Sequence, residues 1–199
     1  GFGASGRNGG SVSPGFANGL DAIERQVGRA AADKLFRLSL EGVEIVRRNL
    51  AEFAGPALRG RGVLTVRRVA DPDGVAAAHR SMAERFNRRL SVLPTIETRK
   101  LARSSRYFDA LLDESSFHIQ PLIYVESVAG EIERLGGRIC EGSRVVGLRQ
   151  VSGEAVRLAT ATGEIGCRHV VLATSAYDRS LQPRISRAIC QIRFVGPVS

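Results

Sequence analysis

Apolar residues recur at three- and four-residue steps from Leu20 to Phe53, through Ile23, Val27, Ala31, Leu35, Leu38, Ile45, Val46 and Leu50, with charges between them. The spacing predicts a long helical stretch. Gly28 and Gly42 interrupt it, with Gly42 the expected point of division into two helices, and Gly55-Pro56 ends it. The pattern then changes. Gly62-Val63-Leu64-Thr65-Val66-Arg67-Arg68-Val69 is rich in β-branched residues and predicts a strand. Asp71-Pro72-Asp73-Gly74 predicts a turn, leading into a helix with Val75, Ala78, Met82, Phe86 and Leu90 on one face.

Residues 91 to 116 keep no sustained period and are expected to be irregular or to form short strands. Pro121 stands where a helix starts well, and Leu122, Val125, Val128, Ala129, Ile132 and Leu135 form its apolar face until Gly136-Gly137 stops it. Strand signals follow at 138–140, 145–148, 156–159 and 163–165, then in the apolar run Val170-Val171-Leu172-Ala173, read as a buried strand. A last strand-like run covers Ile189 to Val195. Long helices, a small antiparallel meander and a buried strand give a mixed α/β order rather than a repeated βαβ unit.

Composition narrows the class. The 199 residues are 43% hydrophobic and 25% charged, as in ordinary globular proteins, and no apolar run is long enough to cross a bilayer. The net charge of +9 raises the question of nucleic acid, but Lys34 and Lys100 are the only lysines and the arginines are scattered among acids. With no Trp and few aromatics among the cations to stack bases, neither nucleic acid nor membrane is expected as a partner. Cys140, Cys167 and Cys190 form no C-x-x-C pair and sit among apolar residues, so zinc is not indicated and a reduced, cytoplasmic protein is expected. Met82 is the sole methionine and no initiator Met is present, so the sequence is expected to be an internal piece of a longer chain.

Conventional catalytic side chains are sparse. His79, His118 and His169 have spacings that suit no metal. His118 is the best placed, in Ser115-Ser116-Phe117-His118-Ile119-Gln120-Pro121, read as a loop entering a helix. Asp109, Asp113 and Glu114 form a small acidic group that a solvated loop would explain. No phosphate loop of the G-x-x-x-x-G-K-S/T kind and no G-x-S-x-G elbow occurs. Such a chain suits chemistry carried by a cofactor, with the polypeptide supplying binding and orientation; the catalytic group stays unassigned.

Gly1-Phe2-Gly3-Ala4-Ser5-Gly6 spells the dinucleotide fingerprint G-x-G-x-x-G, with Asp21 and Glu24 near the position of a ribose-binding acid. The fingerprint works only as a turn between a strand and a helix, where helix N–H groups receive the pyrophosphate. No strand is expected to feed a turn at Gly1, and Arg7 to Gly15 holds too much Gly and Pro to open a helix.

The opening has another likeness. Gly3-Ala4-Ser5-Gly6-Arg7-Asn8-Gly9-Gly10 resembles the "GASGRNGG" loop of FAD-dependent amino acid and amine oxidases, the D-amino-acid oxidase/glycine oxidase superfamily, in particular its γ-glutamylputrescine oxidoreductase-like branch. Ser105-Arg106-Tyr107-Phe108-Asp109-Ala110-Leu111-Leu112-Asp113, with His118-Ile119-Gln120-Pro121-Leu122, resembles the segment before that family's second nucleotide-domain helix. Gly137 to Val145 and His169 to Tyr177 resemble its "G-x-I-x-E-x-T-x-V" and "VVLATNAY" strands, with Ser175 standing where the family often has Asn or Gly.

The resemblance implies a partial Rossmann-like FAD-binding domain interleaved with part of a substrate domain. Its implied divisions are 1–60 (flavin-contacting loop and helices), 61–104 (substrate domain), 105–180 (FAD domain continued) and 181–199 (start of a second substrate-domain segment). It implies FAD as cofactor and oxidation of an amine or amino-acid C–N bond to an imine by hydride transfer to flavin. Ala4, Ser5, Arg7, Asn8, Gly9 and Gly10 would approach pyrophosphate and flavin through backbone N–H groups, where a missing Cβ allows close approach. Val145 would pair its backbone with the adenine edge, and Ala173 and Thr174 would lie on the strand beneath the pyrophosphate. Asp21 and Glu24 would then be bystanders on a helix. The family's own G-x-G-x-x-G, its acidic ribose ligand and most of the substrate pocket would lie outside these residues, so the 199 residues alone are expected to be inactive. The alternatives are an NAD-binding dehydrogenase that uses the opening literally, and a truncated chain that binds nothing. Oligomeric state and electron acceptor stay open.

Overall fold

The computed structural model describes residues 3–151, 156–174, 181, 182, 184 and 187. The chain divides into two compact units, Gly1–Gly137 and Arg138–Ser199.

In the first unit the helical stretch folds as α1 (Gly19–Val27) and α2 (Arg29–Glu52). The division falls at Gly28 and not at Gly42. Gly28 has φ 80° and ψ 159°, and its N–H donates to the Glu24 carbonyl at 2.9 Å while its own carbonyl accepts from Ala32 N–H at 3.0 Å. Gly28 therefore closes one helix and opens the next. Gly42 stays inside α2. A helical glycine costs about 1 kcal/mol relative to alanine, and the burial of Ala32, Phe36, Val43 and Leu50 along one face outweighs it. As expected, α2 ends before Gly55, which begins a 3-10 turn (Gly55–Ala57).

An antiparallel sheet follows, built from β1 (Ser11–Val12), β2 (Leu58–Val66), β3 (Ser91–Leu93) and β4 (Ala110–Ile119). β4 lies at its centre, with β2 along one edge and β1 and β3 on the other. β2 starts four residues before the expected strand and ends at Val66, leaving Val69 exposed. The Asp71–Gly74 turn is the start of α3 (Pro72–Phe86) itself: the Asp71 carboxylate accepts from Gly74 N–H at 3.0 Å. Leu90 lies beyond that helix.

The region from 91 to 116, expected to be irregular or to form short strands, is the largest correction: beside the short strand β3 it holds α4 (Thr95–Ala102) and most of the long central strand. In β4 the buried positions include Asp113 and Ser116 beside Ala110 and Phe117, so hydrophobic alternation is hidden by polar residues that pair inside. In α4 the apolar Ile96 and Leu101 face out while Thr98 is fully buried, its hydroxyl donating to the Leu93 carbonyl at 3.2 Å. The Pro121 helix forms as expected, as α5 (Pro121–Arg134). Val43 and Leu50 of α2, Ala54, Ala57 and Phe117 make the core, with Val12, Ile119, Ile123 and Tyr124 packed against it.

The second unit holds the expected meander, β5 (Val145–Gln150), β6 (Val156–Thr160) and β7 (Glu164–Cys167), paired antiparallel in that order. Residues 138–140 and 170–173 are not strands. Val171 is 88% exposed. An apolar run becomes a buried strand only when neighbouring strands pair with its backbone, and none does so among the described residues. The run from Ile189 to Val195 lies outside the described residues, as does Cys190.

Candidate functional site

The opening loop is held by its own backbone and one side chain. Ala4–Gly6 forms a single 3-10 turn, with Gly6 N–H donating to the Gly3 carbonyl at 3.3 Å and Arg7 N–H to the Ala4 carbonyl at 3.1 Å. The Asn8 amide nitrogen donates to the carbonyls of Ala4 (3.2 Å) and Ser5 (3.0 Å), and its Oδ1 accepts from Gly10 N–H at 2.8 Å. Gly10 is buried, with φ 71°, and its carbonyl accepts from Ile119 N–H at 2.9 Å. Ser11 and Val12 then pair with His118 and Phe117 on β4. The loop is thus stitched to the junction of β4 and α5. There the Gln120 N–H donates to the Ala57 carbonyl at 2.7 Å, and its side-chain oxygen caps α5 by accepting from Ile123 N–H at 3.0 Å.

Ala4, Ser5, Arg7, Asn8 and Gly9 are exposed on this frame. A Gly-rich turn carrying an arginine is a donor set that suits a diphosphate anion. The literal fingerprint geometry does not form: β1 follows the loop, and the next α-helix begins only at Gly19. Asp21 and Glu24 lie on α1, and Glu24 is engaged by Arg85 at 2.8 Å, which also grips Asp33 of α2.

The other expected cofactor residues belong to the second unit. Val145 opens β5, half-buried and paired with Thr160. Ala173 and Thr174 are exposed and outside any strand.

Three further expectations are corrected. His118 lies on β4, between Ser11 and Gly60 of the flanking strands, and not in a loop. Cys140 is exposed, because residues 138–140 form no strand to bury it. Asp113 is no solvated acid: it is 9% exposed, ion-paired with Arg88 and accepting from the Ser116 hydroxyl. The Ser115 hydroxyl and N–H also donate to it, at 2.6 and 3.1 Å. Burial pushes the Asp113 carboxyl up, but the Ser115, Ser116 and Arg88 donors outweigh it and hold the group below the usual carboxylate range. The sequence hint was Arg88-Arg89 preceding a strand with Asp113-Glu114-Ser115-Ser116, but nothing local links residues so far apart.

A groove of about 380 Å³ along α2 is lined by Pro14, Leu40, Val43, Ile45, Arg48 and Ser115 among others, and by none of the expected cofactor residues. Among the described residues no three His, Cys, Asp or Glu side chains could together hold a metal ion, and no helix is long and apolar enough to cross a membrane.

Comparison with known proteins gives this geometry a context. The family described as "FAD dependent oxidoreductase" (DAO) matches residues 1–195. The chain belongs to this family. It is 33% identical over 189 residues to the γ-glutamylputrescine oxidoreductase of Escherichia coli, covering 94% of this chain and 44% of that protein. It is also 30% identical over 201 residues to the probable oxidoreductase OrdL of Haemophilus influenzae, covering 96% of this chain and 46% of the relative. The chain therefore spans less than half the length of these relatives. Among solved structures it resembles glycine oxidase from Bacillus cereus, with a TM-score of 0.59 at 15% identity over 92% of this chain and 48% of that one. A mutant of NikD, an amino acid oxidase of nikkomycin biosynthesis, gives 0.54 at 20% identity over 74% of this chain and 39% of that one. These likenesses show the mixed α/β fold of FAD-dependent oxidases, with its Rossmann-like region. FAD is the cofactor that family membership assigns.

Proposed function

We propose that the protein oxidises the C–N bond of an amine or amino acid to an imine, using FAD. The observation that carries this reading is the braced loop from Gly3 to Gly10, fixed to β4 at Ile119 in a chain that the FAD-dependent family matches almost end to end. Bound FAD would supply the two-electron acceptor. In this reading Ser5, Arg7 and Gly9 present donors to the cofactor's pyrophosphate, Ala4 lies beside them, and the buried Gly10 supports the cofactor site by seating the loop on β4. Val145, Ala173 and Thr174, in the second unit, are assigned to FAD by the family resemblance alone. The same reading assigns residues 1–60 and 105–180 to an FAD domain and 61–104 and 181–199 to a substrate domain, although β4 pairs with β2 and β3 across that division. The names of the relatives, γ-glutamylputrescine oxidoreductase and glycine oxidase, support a small amine or amino acid as substrate. Free thiols at Cys140 and Cys167 support a reducing, cytoplasmic setting.

The test is anaerobic. The protein at natural length, loaded with FAD, is offered glycine, other amino acids and polyamine derivatives while its visible flavin absorption is followed. Bleaching by one of these supports the reading. Bleaching by none of them, with dithionite still able to reduce the bound flavin, would overturn it.

A further inference from the structure

We propose that Asn8 is a positioning residue, with a side chain committed to the loop backbone and not to the cofactor. The inference rests on the flavin-binding reading of residues 4–10. A primary amide has two N–H donors and one carbonyl acceptor. Both donors of Asn8 are used, on the Ala4 and Ser5 carbonyls, and Oδ1 holds the Gly10 N–H. What remains is a lone pair on Oδ1, and a phosphate oxygen, itself an acceptor, has no use for it. Asn8 cannot serve an anionic ligand without releasing a loop carbonyl.

The brace also decides what the loop presents. In a trans peptide the carbonyl and the following N–H point in opposite directions. The Ala4 carbonyl turns inward to Arg7 N–H and the Asn8 amide, so the Ser5 N–H of the same peptide is directed outward. The Oδ1–Gly10 bond joins this turn to the residue fixed on Ile119, so turn and sheet hold one register. Aspartate would lack the two donors and set a carboxylate against two carbonyls. Glutamine would reach one carbon too far.

The experiment uses ¹⁵N-labelled protein at natural length, first free of flavin and then with FAD, beside Asn8→Ala and Asn8→Asp. The Asn8 side-chain signals, identified by their loss in Asn8→Ala, are expected to stay in place when FAD is added, while the Ser5 N–H moves. Asn8→Ala is expected to shift the Gly10 N–H in the flavin-free protein and to weaken FAD binding by about tenfold, the scale of one net hydrogen bond. Asn8→Asp is expected to regain affinity as pH falls through its carboxyl range, because protonation restores one donor, whereas Asn8→Ala shows no such recovery. Asn8 side-chain signals that move with FAD as far as the Ser5 N–H would overturn the proposal, as would unchanged affinity in Asn8→Ala. A wild-type protein that takes up no FAD contradicts the proposed function instead, and the Gly10 shift still judges the brace.

Discussion

Gly10 and Ile119 are locked backbone to backbone. The Ile119 N–H donates to the Gly10 carbonyl at 2.9 Å, and a Cβ on Gly10 would stand 2.0 Å from the Ile119 carbonyl oxygen. With φ at 71° as well, no other residue fits without moving the strand. Gly10→Ala is expected to destabilise the protein by about 3 kcal/mol, the upper range for backbone strain at a non-glycine residue. Thermal unfolding measures the loss. A melting point unchanged from wild type would show that the loop is not seated on β4.

Gly28 and Gly42 separate two uses of glycine within one helical stretch. At Gly28 a side chain meets no neighbour, but φ 80° with ψ 159° is a conformation that L-residues avoid. Gly28→Ala is expected to cost about 1–3 kcal/mol. Gly42 has open space around its missing Cβ and helical geometry, so Gly42→Ala is expected to stabilise by about 0.5–1 kcal/mol. Denaturant midpoints of the two variants should move in opposite directions.

These glycines also show what the sequence could convey. The three- and four-residue steps made the helical stretch readable, and Pro121 and Gly136 bounded α5 correctly. The choice between Gly28 and Gly42 depends on dihedral angles that periodicity does not contain. β4 was unreadable for another reason: its buried Asp113 is matched by Arg88, 25 residues earlier, and such a pair makes an interior strand look like a polar loop. The run at 170–173 failed in the opposite sense, since hydrophobicity alone cannot provide a pairing partner. For the site, the glycine-rich loop was legible as a family likeness, whereas the inward role of Asn8 emerged only from its three hydrogen bonds.

The Asp113–Arg88 pair predicts an acid limb in stability. Because the Asp113 carboxyl is held below its ordinary value in the folded protein, its contribution is complete above the unfolded-state pKa of about 3.9 and is lost as pH falls through the lower folded value. Asp113→Asn leaves the Arg88 charge without its counter-ion and is expected to cost about 3 kcal/mol at neutral pH. Unfolding curves between neutral and strongly acid pH should converge for the two proteins at the acid end. A constant gap would contradict the role given to this carboxylate.

Arg85 ties three helices together. From the end of α3 it donates to Asp33 on α2 at 3.0 Å and to Glu24 on α1 at 2.8 Å, with its side chain only 10% exposed. Arg85→Met keeps part of the aliphatic stem but leaves both acids unpaired, and a loss of about 2 kcal/mol is expected. Combining it with Asp33→Asn should cost clearly less than the sum of the two single changes, as a double-mutant cycle would show. Simple additivity would mean that the ion pair contributes nothing to stability.

The central claim, that this chain forms part of an FAD site, meets its most direct test in a visible spectrum. The purified protein at natural length is mixed with FAD or with NAD, passed through gel filtration, and scanned at its elution volume. The expected result is a folded protein that retains the yellow flavin absorption and carries no NAD. A folded, monodisperse protein that elutes colourless after FAD would contradict the account.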